Sequence, residues 1–141
     1  LQCHYWGRWV SFISFCTRNR IQVKMQNKII PDATIHGQKN GQKFKVAFEL
    51  ELTRKSKGRY LTKVQSYLSS SYYDFIIYYF HSKNIMESYK KTIEEKCGDT
   101  SNRKIIYAYN ENLLLKGFNF DNSTVIYKNK KCSFKDLFDQ P

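Results

Sequence analysis

Glu49 and Glu51 stand two residues apart in the run Lys43-Phe44-Lys45-Val46-Ala47-Phe48-Glu49-Leu50-Glu51-Leu52-Thr53. In an extended chain that spacing puts both carboxylates on one face, ~7 Å apart along the strand. Asp32 precedes them across Gly37-Gln38-Lys39-Asn40-Gly41, a segment rich in turn formers. A hairpin closed tightly there lays Asp32 across from the region of Ala47 to Glu49, whereas a slip of one residue turns it to the other face. Carboxylates gathered in this way repel one another until a cation or a proton relieves them. Clustered oxygen donors suit Mg²⁺ or Mn²⁺, which keep part of their water and bridge to phosphate oxygens. Such an ion activates water and neutralises charge in phosphodiester cleavage. The competing expectation is a strand with an ordinary polar outer face, its glutamates paired with Lys43, Lys45 or neighbours.

The elements that must position these acids are legible in the hydrophobic pattern. Phe44, Val46, Phe48, Leu50 and Leu52 alternate with Lys43, Lys45, Ala47, Glu49, Glu51 and Thr53, a period of two that predicts a strand. Upstream, residues 29–36 form a second candidate strand with Pro31 near its start, and the pair makes a β-hairpin. Tyr60, Leu61, Val64, Tyr67 and Leu68 fall on a helical period that ends near Ser69-Ser70-Ser71. Residues 74–80 read as an apolar strand buried on both faces. Asn84 followed by Glu87 predicts a helix start, Ile85, Met86, Tyr89 and Ile93 its apolar face, and Cys97-Gly98 its end. Residues 104–109 give another strand, and Val125 to Phe134 a small hairpin before a polar end. The order hairpin, helix, strand, helix, strand predicts an α/β sandwich with a mixed central sheet.

Composition narrows the partners. The 141 residues hold 24 Lys and Arg against 12 Asp and Glu, a formal charge of +12. Such a balance favours nucleic acid first and an anionic surface second. The apolar run from Trp9 to Cys16 is far shorter than the ~20 residues of a spanning helix, so no membrane partner is expected. Cys3, Cys16, Cys97 and Cys132 are scattered without a C-x-x-C pair, which predicts reduced thiols and a cytoplasmic setting. His4, His36 and His81 are isolated and read as surface residues. Aromatic residues make up 16% of the chain, and core packing accounts for most of them more simply than base stacking.

Pro31-Asp32, a spacer, and then Val46-Ala47-Phe48-Glu49-Leu50-Glu51-Leu52-Thr53-Arg54-Lys55-Ser56-Lys57-Gly58-Arg59-Tyr60 resemble the signature of the replication-relaxation family. That family includes MobC-type mobilisation proteins and relaxases of plasmids and other mobile elements, and is similar to PD-(D/E)xK nucleases. The resemblance covers residues 29–80. It implies a restriction-endonuclease-like α/β sandwich, with Asp32 and Glu49 as metal ligands and Glu51 where most such nucleases carry lysine. Lys55 then supplies the missing positive charge, and Arg54, Lys55, Lys57, Arg59 and Lys63 grip DNA phosphates. Asp32, Glu49, Glu51 and Lys55 are the expected catalytic set, with Asp32, Glu49 and Glu51 on the ion. The expected partners are plasmid or mobile-element DNA and other mobilisation or replication proteins.

The chain departs from the family in lacking an acid within Trp9 to Asn19 and the length for a winged helix. One domain over residues 1–141 is expected, without the upstream winged-helix region, and Leu1 in place of methionine agrees with a truncated or processed start. The alternatives to cleavage are a non-catalytic DNA-binding accessory protein and an inactive remnant of a mobile element.

Overall fold

The computed structural model describes residues 29–39 and 41–139. The Trp9 to Cys16 run, Cys3, His4 and the stretch tested for an N-terminal acid lie outside them. Strands β1 (Ala33–Lys39) and β2 (Gln42–Glu51) form the expected hairpin, with Lys39 opposite Gln42. The chain turns between Lys39 and Gln42, where Gly41 takes φ +79°, a conformation glycine reaches without steric cost. The anticipated strand over 29–36 and turn over 37–41 are corrected accordingly: Gly37 to Lys39 belong to the ladder, while Pro31 and Asp32 precede it.

Helix α1 (Lys57–Ser69) leads to β3 (Phe75–Phe80), and α2 (Lys83–Cys97) with the short α3 (Asp99–Lys104) leads to β4 (Ile105–Tyr109). These crossovers make β2, β3 and β4 parallel, as helical connections require. Helix α1 buries Tyr60, Val64 and Tyr67, and α2 buries Met86, Tyr89 and Ile93. The start of α2 is capped by Ser82, whose side chain accepts from the Ile85 N–H at 3.4 Å, and not by Asn84. Gly98, at φ +64°, ends it. The expected strand from Lys104 begins at Ile105, because residues 99–104 add the turn of α3, with Asp99 first and Arg103 and Lys104 last, in the order that suits the helix dipole.

Strands β5 (Thr124–Tyr127) and β6 (Lys130–Cys132) extend the sheet as an antiparallel hairpin, turned through Lys128 and Asn129 at φ +49° and +61°. The polar end is a helix, α4 (Phe134–Asp139), opened by reciprocal hydrogen bonds between Ser133 and Asp136. The fold is therefore α/β, with one six-stranded mixed sheet in the order β1-β2-β3-β4-β5-β6 and four α-helices among the described residues.

Both faces of the sheet are packed. One carries Ile35, Val46, Phe48, Ile77, Tyr79, Ile106 and Val125 beneath Phe120 and Phe134. The other carries Ala47, Ile76, Tyr78, Phe80, Ile105 and Tyr107 beneath α1 and α2. Strand β3 is buried on both faces as expected. Among the described residues no helix is long and apolar enough to cross a membrane.

Candidate functional site

The hairpin register decides where the acids meet. Ala33 lies opposite Phe48, so one step further out Asp32 faces Glu49. On the other side of β2, Glu49 lies beside Tyr78 and Glu51 beside Phe80. Alternation along the strands puts Asp32, Glu49, Glu51 and Tyr78 on the face covered by α1 and α2. The expectation of a polar outer face is therefore corrected. Glu49 is 0% and Glu51 1% exposed, because the parallel crossovers lay helices over this side of the sheet.

A buried carboxylate needs partners, and each glutamate has one lysine and one tyrosine. Lys63 Nζ lies 2.6 Å from Glu49 Oε2, and the Tyr67 hydroxyl donates to Oε1. Lys63 and Tyr67 are four residues apart on α1, which brings both to the same helix face. Lys55 pairs with Glu51 Oε1, and the Tyr89 hydroxyl of α2 donates to Oε2 at 3.2 Å. That hydroxyl also accepts from the Lys55 backbone N–H at 2.9 Å, which fixes the segment after β2 against α2. Asp32 is tied to the same strand, its Oδ2 accepting from the Leu50 N–H at 2.9 Å.

Burial is the largest influence on the proton affinity of Glu49 and pushes it up. Lys63 and Tyr67 pull it down, and the charge of Asp32 adds to the rise. Burial and then the Glu49 charge hold the phenols of Tyr67 and Tyr78 protonated far above the ordinary tyrosine range. Tyr89 is pushed up to about 12, again chiefly by burial. The Tyr78 hydroxyl is buried and has no hydrogen-bond partner among the described residues.

The residues picked out in the sequence separate into two groups. Asp32, Glu49, Glu51, Lys55 and Lys63 come together, and Lys63, anticipated as a phosphate contact, is turned onto Glu49 with its side chain 30% exposed. Arg54, Lys57 and Arg59 stay on the surface at the same end of β2, with Arg54 donating to Ser88 Oγ at 2.9 Å. The first turn of α1 contains Lys57 and Arg59 and no acid, and Ser56 makes no side-chain cap. Basic residues at a helix start oppose its dipole, and a bound anion relieves them. His36 is exposed, while His81 Nδ1 lies 3.3 Å from the Glu51 carbonyl oxygen.

Sequence reasoning missed Tyr67, Tyr78 and Tyr89 as members of the site. Their helical and strand positions marked them only as core, although Lys63 and Tyr67 one turn apart are a readable signal. Among the described residues, no three acid, histidine or cysteine side chains are placed as a ready metal-binding group. Compared with protein-family models, curated proteins and solved structures, the chain matches none.

Proposed function

We propose that this chain acts on DNA as a restriction-endonuclease-like α/β sandwich, using Mg²⁺ or Mn²⁺ held by Asp32, Glu49 and Glu51 for phosphodiester cleavage of nicking or relaxase type. The observation that carries this reading is the placement of Asp32 opposite Glu49, with Glu51 one step along the same face, in a chain of charge +12. The donors match the ion in kind only: all three are carboxylates, as a hard cation prefers, and the oxygens of Glu49 and Glu51 would have to leave their lysine and tyrosine partners to take it. Bound there, the ion would supply charge neutralisation and water activation.

The chain's own residues do the rest. Lys55 and Lys63 neutralise the two glutamates, and their partial exposure lets either swing toward a phosphate. Arg54, Lys57 and Arg59, together with the start of α1, hold the DNA backbone on the open side. Plasmid or mobile-element DNA is the substrate that the family resemblance favours, with other mobilisation or replication proteins as partners in a cytoplasmic setting.

Supercoiled plasmid carrying a mobilisation origin, incubated with the chain and Mg²⁺ or Mn²⁺, should be nicked. EDTA and Asp32→Ala should each abolish the reaction, and wild-type cleavage by that variant would reject the assignment. One observation favours a second reading, a non-catalytic DNA-binding accessory protein: each glutamate already has its lysine and tyrosine, and the family resemblance implies that Glu51 replaces a usual lysine. Intact plasmid with a clear gel shift under either ion selects that reading.

A further inference from the structure

Strand β2 begins at Gln42, but its ladder with β3 starts only at Val46 and Phe75. Asp74 closes that ladder, its N–H donating to the Lys45 carbonyl at 2.8 Å and its Oδ2 accepting from the Lys45 N–H at 2.7 Å. Gln42 to Phe44 therefore run on with no strand beside them on that side among the described residues. The overhang leaves a trough across the end of the sheet where β2, β3 and β4 begin. Two cavities, of about 830 and about 900 Å³, make it up and share Lys43, Phe44, Ser71 and Asp74. Each is as large as a small-molecule site, roughly 300–1,000 Å³. Lys43 lies ~20 Å along β2 from Glu49, so the trough is separate from the carboxylates.

The floor of the trough is aromatic and its rim basic. Phe44, Phe75 and Tyr127 line the first cavity, each half-buried. Phe75 and Tyr127 meet at 80° and 6.2 Å, edge against face, so they do not cover each other as stacked rings would. The Tyr127 hydroxyl donates to the Arg103 carbonyl at 3.0 Å, which sets this ring beside the end of α3. Lys43 and Arg103 are exposed, and neither makes an ion pair among the described residues. Lys104 spends two of its three ammonium donors on the carbonyls of Tyr67 and Ser70 and keeps one. Lining the second cavity, Lys45 holds its Nζ 4.1 Å from the centre of the Tyr72 ring. Against these cations stands Asp74, already bonded to the Lys45 backbone. A core has no use for unpaired cations beside half-covered rings, whereas a polyanion carrying flat bases uses both.

We propose that this trough binds single-stranded nucleic acid, its bases stacking on Phe44, Phe75 and Tyr127 and its phosphates held by Lys43 and Arg103. In a duplex the neighbouring bases cover each other's faces, so an aromatic floor favours unpaired ones. Two joined cavities give room for successive nucleotides. The proposal shares with the proposed function only its class of partner, and it needs neither the carboxylates nor a metal ion.

The test is fluorescence anisotropy of labelled oligothymidine and oligouridine, each of about 12 nucleotides, titrated with the full chain in EDTA at several salt concentrations. Wild type is compared with Lys43→Ala/Arg103→Ala, with Phe44→Leu, and with Arg54→Ala/Lys57→Ala/Arg59→Ala, and urea unfolding is followed for each. Lys43→Ala/Arg103→Ala should weaken binding and lower the log–log salt slope by about 1.4, at ~0.7 per lost phosphate contact. Phe44→Leu should weaken binding about fivefold or more, the lower end of what one stacked base contributes, with the slope unchanged. Wild-type affinity and slope in Lys43→Ala/Arg103→Ala overturn the proposal, and lost binding in the Arg54 variant then assigns the strand to the other end of β2. Weakened binding in Lys43→Ala/Arg103→Ala beside wild-type binding in a folded Phe44→Leu shows phosphate contacts without stacking, and also overturns it. A wild-type chain that binds duplex but neither oligonucleotide overturns this proposal and leaves the proposed function standing, and binding to none of them overturns both.

Discussion

Tyr67→Phe removes one oxygen atom from the protein and leaves the ring, with its edge contact to Tyr73 at 5.6 Å, in place. What it takes away is the donor to Glu49 Oε1, between two side chains that are both 0% exposed. Lys63 still holds the other carboxylate oxygen. A hydrogen bond to a charged group contributes ~1.5–3 kcal/mol, and stranding a buried acceptor moves the cost toward the upper end, so we expect ~2–3 kcal/mol at neutral pH. In urea unfolding that is a fall of roughly 1–2 M in the midpoint for a domain of this size. The loss should shrink in acid, where the carboxyl is protonated and the bond is an ordinary neutral one worth ~1 kcal/mol. In a Glu49→Gln background it should shrink as well, giving a coupling of about 1 kcal/mol or more in the double-mutant cycle. A loss below ~0.5 kcal/mol at neutral pH, or the same loss with Gln at position 49, would refute the claim that Tyr67 holds a buried charge.

Glu49→Gln tests the same charge from the other side. Burial raises the proton affinity of Glu49 above the ordinary value of 4.5, so the folded chain holds this proton more readily than the unfolded one. The stabilisation from this group is complete below the ordinary value and is lost as pH rises through the raised one. Replacing Glu49 by Gln should flatten that part of the profile of urea midpoint against pH, and an unchanged profile would assign the slope to other groups. For the surface residues, Arg54, Lys57 and Arg59 changed together to Ala should reduce the salt dependence of duplex binding by roughly 0.9 in log–log slope per lost phosphate contact. Salt titration of a gel shift reads this, and an unaltered slope places the DNA elsewhere.

The alternation from Lys43 to Thr53 was enough to find β2, because a period of two survives whatever covers the strand. It was not enough to say which face is wet. That depends on Tyr60, Val64 and Tyr67 of α1 and on Met86, Tyr89 and Ile93 of α2 folding over Glu49 and Glu51, a long-range event absent from the local pattern. Lys63 illustrates the same limit: counted among the surface charges, it lies on the inward side of α1, where its long stem reaches a buried acid. The hairpin register was nearer to hand, since Asn40-Gly41 is a preferred two-residue turn sequence. Helices α3 and α4 left no periodicity because each has only six residues, and their starts rest on local charge and capping.

Two buried acids in a sheet do not by themselves require a ligand. Ion pairs fixed in a core are commonly replaceable by apolar residues of like volume without loss, so Lys63–Glu49 and Lys55–Glu51 are weak evidence of a purely stabilising role. A purely structural network accounts for the pairs and for the phenols of Tyr67 and Tyr89 that complete them. It leaves Lys57 and Arg59 at an uncapped helix start that favours anions, whereas buried hydroxyls without a hydrogen-bond partner among the described residues occur both beside the acids, at Tyr78, and away from them, at Tyr107. Elsewhere local preference and fold mostly agree, from Gly41 at positive φ in the hairpin to the capping of α4 by Ser133 and Asp136. An anion at the start of α1, such as a phosphate of the proposed DNA partner, would relieve that end of the helix.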